Sequence, residues 1–237
     1  MSALLEIKDL WGGYSEGVDI LRGINMEVQQ GEAVGIIGLN GSGKSTLGKA
    51  IMNMIPYRRG QILFNGEDIT GLRTDQLAQR GIAIMQQGGR AFPNLSVWQN
   101  LQMAMGNSQL STFNSQLLDI IPLLQQPKKK LMRTMSDKLS GGQRHELALV
   151  MTLSQKPELV ILDEPSAGLS PVAVEEMYGM LHAIREKLVI TIILIEQNIA
   201  KAVGFCERCE MMGQGIIVDE YTNQNFIEIN NRLFNQK

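Results

Sequence analysis

Short runs of apolar residues recur along the chain at Leu5–Ile7, Ala33–Ile37, Gln61–Phe64, Ile82–Met85, Leu159–Leu162, Val189–Ile195 and Gly215–Val218. Each is about as long as a strand, and the most continuous of them fit strands covered on both faces. Between the runs the apolar spacing changes to steps of three and four. Val174, Met177, Leu181, Ile184 and Leu188 share one face of a helix predicted over Pro171–Leu188, with Pro171 suited to its first turn. Continuous strands alternating with helices predict an α/β fold built on buried parallel strands. From about Gly88 to Gln155 the strand runs stop and Gln, Asn, Met and Ser become frequent. That stretch predicts loops and helices, a helical lobe inserted into the sheet domain. No internal repeat or low-complexity tract interrupts the pattern.

Composition narrows the function classes. The 237 residues are 44% hydrophobic, enough for one large core or two small ones, and the 22 Lys and Arg nearly balance the 24 Asp and Glu. A net charge of -2 leaves no bulk electrostatic footprint for nucleic acid or anionic lipid. No apolar run approaches the length of a membrane span, and Met1–Asp9 lacks the basic-then-apolar order of a secretory leader, so a soluble, non-exported chain is expected. The two cysteines, Cys206 and Cys209, form a C-x-x-C. A structural zinc site needs four ligands, and His145 and His182 lack metal spacing. The pair also falls where a helix ends, rather than opening one as a redox motif does. Two reduced cysteines in a packed or surface turn are expected. The basic run Pro127–Lys130 reads as a solvated turn, and Thr222–Lys237 carries no readable motif.

The chemistry-bearing residues begin directly after the run Ala33–Ile37. Gly38-Leu39-Asn40-Gly41-Ser42-Gly43-Lys44-Ser45 is G-x-x-x-x-G-K-S. Successive backbone N–H groups wrap a phosphate only where no Cβ intrudes, which accounts for Gly38, Gly41 and Gly43. Lys44 has the reach for the β and γ phosphates, and the Ser45 hydroxyl suits Mg²⁺. A helix predicted over Thr46–Met54 turns its N-terminus to the anion. The candidate phosphate-binding residues are Gly38, Asn40, Gly41, Ser42, Gly43, Lys44, Ser45 and Thr46.

Farther on, Leu159–Leu162 ends in Asp163 and Glu164. Asp163 stands where a Mg²⁺ ligand belongs in a phosphate-loop enzyme, and Glu164 is placed to orient or deprotonate water. About 20 residues earlier lies Leu139-Ser140-Gly141-Gly142-Gln143. Its chance occurrence is on the order of one in a few thousand. Ser140 followed by two glycines at a helix start is another anion-binding terminus. One chain cannot easily bring two such termini to one triphosphate, whereas a second copy of the chain could supply the second.

These motifs, in this order and spacing, resemble the ATP-binding subunits of ABC transporters across about Leu4–Glu220. The resemblance implies a P-loop NTPase of the ABC ATPase fold: a mostly parallel sheet flanked by helices, an antiparallel β subdomain and an inserted helical lobe. It implies a single domain, with 1–86 and 156–237 as the nucleotide-binding α/β lobe and 87–155 as the helical lobe. ATP and Mg²⁺ are the implied ligands, the latter on Ser45, Gln87 and Asp163. Tyr14 matches the aromatic that stacks on adenine. Gln87 matches the glutamine that touches Mg²⁺ or water, with Gln86 beside it. Ser166–Pro171 matches the loop that crosses the interface of a head-to-tail dimer, in which Ser140, Gly141, Gly142 and Gln143 of one copy complete the site of the other. The catalytic set is then Glu164, Lys44, Gln87 and Gln197.

Gly168-Leu169-Ser170-Pro171, Ala91–Val97 followed by Asn100-Leu101, and Leu194–Asn198 look like the hydrophobic, branched-chain amino-acid uptake branch. Urea uptake and lipopolysaccharide export ATPases share parts of the pattern. Two departures from the family pattern stand out. Gln197 replaces a histidine that senses the γ-phosphate; glutamine donates a hydrogen bond but carries no charge. Arg144-His145-Glu146 and Met151-Thr152-Leu153 replace arginine-containing steps, which raises the alternative of a mainly nucleotide-binding, regulatory subunit; His145 reads as a surface residue. The implied partners are transmembrane permease subunits, a second ABC ATPase subunit and, indirectly, a substrate-binding protein, at the cytoplasmic face of a membrane and without nucleic acid. Gln87–Leu101 is the segment expected to meet the permease, with Phe92 and Trp98 either in contact or in the core.

Overall fold

The computed structural model describes residues 3–106, 120–125 and 128–222. In chain order the strands and helices are β1 (Leu5–Gly13), β2 (Leu21–Val28), β3 (Ala33–Ile37), α1 (Lys44–Ile51), β4 (Tyr57–Phe64), β5 (Glu67–Asp68), α2 (Thr74–Gln79) and β6 (Ile82–Met85). They continue with α3 (Val97–Met105), α4 (Pro122–Gln125), α5 (Lys128–Arg133), α6 (Gly141–Leu153), β7 (Leu159–Asp163) and α7 (Pro171–Lys187). The chain closes with β8 (Thr191–Glu196), α8 (Ile199–Phe205), β9 (Arg208–Gly213) and β10 (Ile216–Thr222). The side chains of the basic run 127–130 and the tail 223–237 lie outside the described residues. Two compact units form, one from Met1–Gln79 with Thr191–Lys237, the other from Arg80–Ile190.

In the first unit, β2, β1, β4 and β5 make an antiparallel sheet. β3 pairs in parallel with β8 on one side and β9 on the other, and β10 closes antiparallel on β9. β3 and β8 are buried at every position, as the apolar run of β3 and the apolar middle of β8 require, with Thr191 and Glu196 buried at the ends of β8. β2 differs. Leu21, Ile24, Met26 and Val28 are buried while Arg22 and Glu27 are exposed, the alternation of a strand with one wet face. That polar half, and the charged pair in β9, conceal both strands from a search for continuous apolar runs. β8 starts at Thr191, and Val189, expected within it, is 90% exposed.

Arg208 ties the strands of this unit together. Its guanidinium donates to Glu32 at 2.8 Å, Glu210 at 2.6 Å and Glu220 at 2.9 Å, and to the Glu27 carbonyl. Burial pushes the Glu210 carboxyl above its usual range despite that arginine.

In the second unit, β6 pairs in parallel with β7, and helices fill most of the remainder. α7 begins as expected at Pro171, capped by the Ser170 hydroxyl, and buries Met177, Tyr178, Met180, Leu181 and Ile184. Between β6 and β7 no strand occurs among the described residues. The irregular segment before α3 is held by two buried side chains, Asn100 and Ser136, whose hydroxyl donates to the Phe92 carbonyl at 2.6 Å. Asn100 is fully buried; its Oδ1 accepts from the Phe92 N–H at 2.7 Å, and its Nδ2 donates to the carbonyls of Phe92, Leu95 and Ser96. A buried amide group left without partners costs about 1–3 kcal/mol. Asn100→Leu is therefore expected to destabilise the protein by about 3 kcal/mol, read as a lower urea midpoint at an unchanged slope.

Candidate nucleotide and water-handling site

The phosphate loop leaves β3 at Ile37 and enters α1 at Lys44. Two glycines are obligatory there. A Cβ at Gly38 would collide with the Met212 carbonyl of β9, and Gly43 takes φ +106 as the N-cap of α1, a conformation that other residues avoid. The β9–β10 turn supports the loop further, because the Gly215 N–H donates to the Ser42 carbonyl at 2.9 Å. Lys44 Nζ donates to the loop carbonyls of Gly38 at 2.9 Å and Leu39 at 3.0 Å, which keeps the ammonium inside the cradle. The Ser42 hydroxyl is buried and lacks a hydrogen-bond partner. A donor-rich turn with an inward cation and an unmet polar group at a helix start fits a phosphate.

Asn40 and Gly41 are exposed, Ser45 is half-buried, and Thr46 is buried. Tyr14, just past β1, is 47% exposed, with Lys49 Nζ 5.9 Å from its ring centroid. Its ring is therefore not part of the core. Gln197 follows β8 with an exposed side chain, and its N–H donates to the Glu196 carboxylate at 3.0 Å.

In the second unit, β7 delivers Asp163 and Glu164, both buried. Glu164 takes φ +48, a left-handed conformation uncommon outside glycine. Gln87 Nε2 donates to Glu164 Oε2 at 2.7 Å, so the sequence-distant glutamine and glutamate meet. That bond uses the amide nitrogen of Gln87, and its oxygen is the atom suited to a hard cation. Within this unit that oxygen and the Asp163 carboxylate are the hard, all-oxygen kind of donor that Mg²⁺ takes.

Ser140 caps α6 in a reciprocal box: its hydroxyl accepts from the Gln143 N–H at 3.2 Å, and its N–H donates to Gln143 Oε1 at 3.0 Å. Gln143 thereby holds the turn, while Ser140 keeps its hydroxyl proton for donation. The Cβ positions at Gly141 and Gly142 would lie 4.0 Å and 3.8 Å from Leu169 and Ala173, so the start of α6 sits beside the Ser166–Pro171 loop and the first turn of α7.

His145 corrects an expectation. It is buried, not on the surface. Its Nδ1 lies 2.9 Å from the Gly141 carbonyl, which can only accept, so Nδ1 carries the proton. Its Nε2 is buried without a partner. The ring lies so close to Gly89 that a Cβ there would come within 2.9 Å of His145 Cα and Cγ. Gly89 is two residues from Gln87, so the first turn of α6 and the Gln87 loop are packed together. Nearby, Glu146 accepts from the Leu123 N–H of α4 at 2.7 Å, and burial pushes its carboxyl above the usual range.

Residues 21–167 match the family described as ABC transporter. The chain belongs to that family. It is an ATP-binding subunit, and its activity is ATP hydrolysis coupled to transport. It is 32% identical over 208 residues to the high-affinity branched-chain amino acid transport ATP-binding protein BraG of Pseudomonas aeruginosa, covering 86% of this chain and 87% of that one. It is 26% identical over 232 residues to the lipopolysaccharide export system ATP-binding protein LptB of Escherichia coli, covering 95% and 93%. Its fold matches the structure of cbiO1 from Clostridium perfringens, part of the ABC transporter complex cbiONQ, with a TM-score of 0.81, 27% identity and coverage of 99% and 97%. Among the described residues no helix is long and apolar enough to cross a membrane.

The packing of Gly89 on His145 makes a measurable prediction for this ABC subunit. Gly89→Ala is expected to cost about 2 kcal/mol by overpacking. Adding His145→Ala is expected to recover about 1 kcal/mol of it in a double-mutant cycle read by urea unfolding. Strictly additive effects would mean that the two residues do not communicate.

Proposed function

We propose that this chain is the ATP-hydrolysing subunit of an uptake transporter for branched-chain or other amino acids, working at the cytoplasmic face of a membrane as one of two ATPase copies beneath permease subunits. The observation that carries hydrolysis is the hydrogen bond at 2.7 Å from the exposed Gln87 to the buried Glu164. A carboxylate oriented by an amide is placed to act as the base that takes a proton from water. The backbone N–H groups of Gly38–Thr46 and the Lys44 ammonium bind the phosphates; Lys44 exchanges its loop carbonyls for phosphate oxygens and stabilises the charge that develops on the γ-phosphoryl group. Tyr14 offers an exposed ring to the adenine. Ser45, Gln87 and Asp163 hold Mg²⁺, which neutralises phosphate charge when bound. Gln197 supplies an uncharged donor toward the γ-phosphate.

Ser140, Gly141 and Gly142 serve the nucleotide of the second copy, with Gln143 holding their turn. Phe92 is 49% exposed beside the Asn100-clamped segment, and Met103 and Met135 are 56% and 38% exposed; these support docking on a cytoplasmic helix of the permease. A substrate-binding protein would act through that permease.

Glu164→Gln keeps the shape and the Gln87 contact but removes the base. Its kcat is expected to fall at least about 100-fold with ATP affinity retained, and ATP is expected to trap a dimer. Near-normal turnover would remove Glu164 from the mechanism.

The amino-acid cargo rests on the Gly168–Pro171 and Leu194–Asn198 patterns and on the likeness to BraG. The likeness to LptB supports a second reading, export of a lipid-linked polysaccharide. Reconstitution with the permease decides between them. ATP turnover stimulated by leucine, isoleucine or valine with the binding protein supports uptake, and stimulation by lipopolysaccharide alone selects export.

A further inference from the structure

Cys206 and Cys209 have no part in the ATPase chemistry, yet they occupy a sensitive place. Cys206 is the C-cap of α8, and Cys209 lies in β9 opposite Gly35 of β3. Neither is in a disulfide, and both are buried, at 2% and 1% exposure. A Cβ on Gly35 would lie 2.5 Å from Cys209 Sγ and 3.4 Å from Cys206 Sγ. Both sulfurs therefore gather around one point on the bare backbone of β3, three residues before the phosphate loop. Only the exposed Glu207 and the partly exposed Arg208 separate the two in sequence, so the thiols lie just under a surface turn. The same strand β9 presents the Met212 carbonyl to Gly38 and the Met212 methyl to Gly43. One strand thus touches β3 through sulfur and the phosphate loop through Met212.

We infer that Cys206 and Cys209 are a redox-reactive pair that a peroxide closes into an intramolecular disulfide, and that closure weakens the grip of the phosphate loop on nucleotide. The second half rests on the ATP-binding reading; the first does not. A hydrogen bond from the Cys206 thiol, aided by the Arg208 charge, holds the Cys209 thiol below its usual range, against the effect of burial. The Cys209 thiolate attacks one peroxide oxygen, the O–O bond breaks and hydroxide leaves, giving a sulfenic acid. The Cys206 sulfur then attacks that sulfur. An S–S bond forms, the S–O bond breaks, and the departing hydroxyl leaves as water with the Cys206 proton. Two thiols are oxidised by two electrons, and the peroxide is reduced to two waters. An S–S bond is about 2 Å long, so closure draws the end of α8 and β9 together against β3 and shifts Met212 beneath Gly38.

The test uses the full chain. After titration with hydrogen peroxide the protein is unfolded in acid, alkylated with N-ethylmaleimide and weighed intact. The expected product is monomeric, lighter by two hydrogens and unalkylated; dithiothreitol returns both thiols to alkylation. Cys206→Ser is expected to stop at a sulfenic acid captured by dimedone, and Cys209→Ser to give no disulfide. Two alkylatable thiols surviving in the oxidised wild-type protein, or a cross-linked dimer, would overturn the pair; this holds even if a serine variant fails to fold. Affinity for a fluorescent ATP analogue is expected to fall about tenfold on oxidation and to return on reduction. A disulfide with unchanged affinity would overturn the link to the phosphate loop. Failure of the reduced protein to bind ATP would count against the functional reading instead, leaving the mass result intact.

Discussion

The first unit is organised around a close approach of two backbones. β9 runs so near the start of the phosphate loop that the Met212 carbonyl takes the space of a side chain at residue 38. The β9–β10 turn adds a hydrogen bond to the Ser42 carbonyl. A loop rich in glycine has many conformations to lose on folding. Here that entropy is removed by a strand about 170 residues away in sequence, before any phosphate arrives. Lys44 completes the preorganisation by folding its ammonium onto the loop carbonyls. The cradle is built by the fold, and the motif alone does not build it.

The second unit solves a different problem, which is to place polar groups, some buried and some at the surface, without wasting them. Asn100 uses its whole amide to organise one irregular segment. Ser140 and Gln143 satisfy each other's termini, as Ser96 and Gln99 do at the start of α3. Gln87 spends its nitrogen on Glu164 and retains an oxygen. His145 anchors one ring nitrogen and buries the other without a partner. Low local dielectric makes the choices of the buried Asn100 and His145 costly to reverse, and the packing of His145 on Gly89 stiffens the loop that carries Gln87 from outside it.

Much of this was legible from the residues. Largely apolar runs marked β3, β6, β7 and β8, and in β3, β7 and β8 every position is buried, where strands covered on both faces tolerate little else. Pro171 and the three-four spacing located α7 to within a residue. The phosphate loop, the Asp163–Glu164 pair and the Ser140 motif are local, so their identity survives in one dimension. What escaped notice depends on distant contacts. β2 and β9 alternate or carry charges whose partners, such as Glu32 and Arg208, lie 176 residues apart. His145 looked like a surface residue because its burial is decided by Gly89, and nothing in the local pattern records that pairing. Val189 looked like strand because hydrophobicity is not accessibility.

One backbone angle carries a longer consequence. Glu164 occupies a left-handed conformation at a cost of about 1 kcal/mol or more, and glycine would occupy it freely. Selection for a sturdier fold alone would push this position toward glycine, and the proposed base would be lost together with the strain. A stability-only screen of random variants should therefore favour glycine at residue 164. A glutamate at residue 164 is what the hydrolysis proposed above would require in spite of that strain, function being met at some cost to the fold.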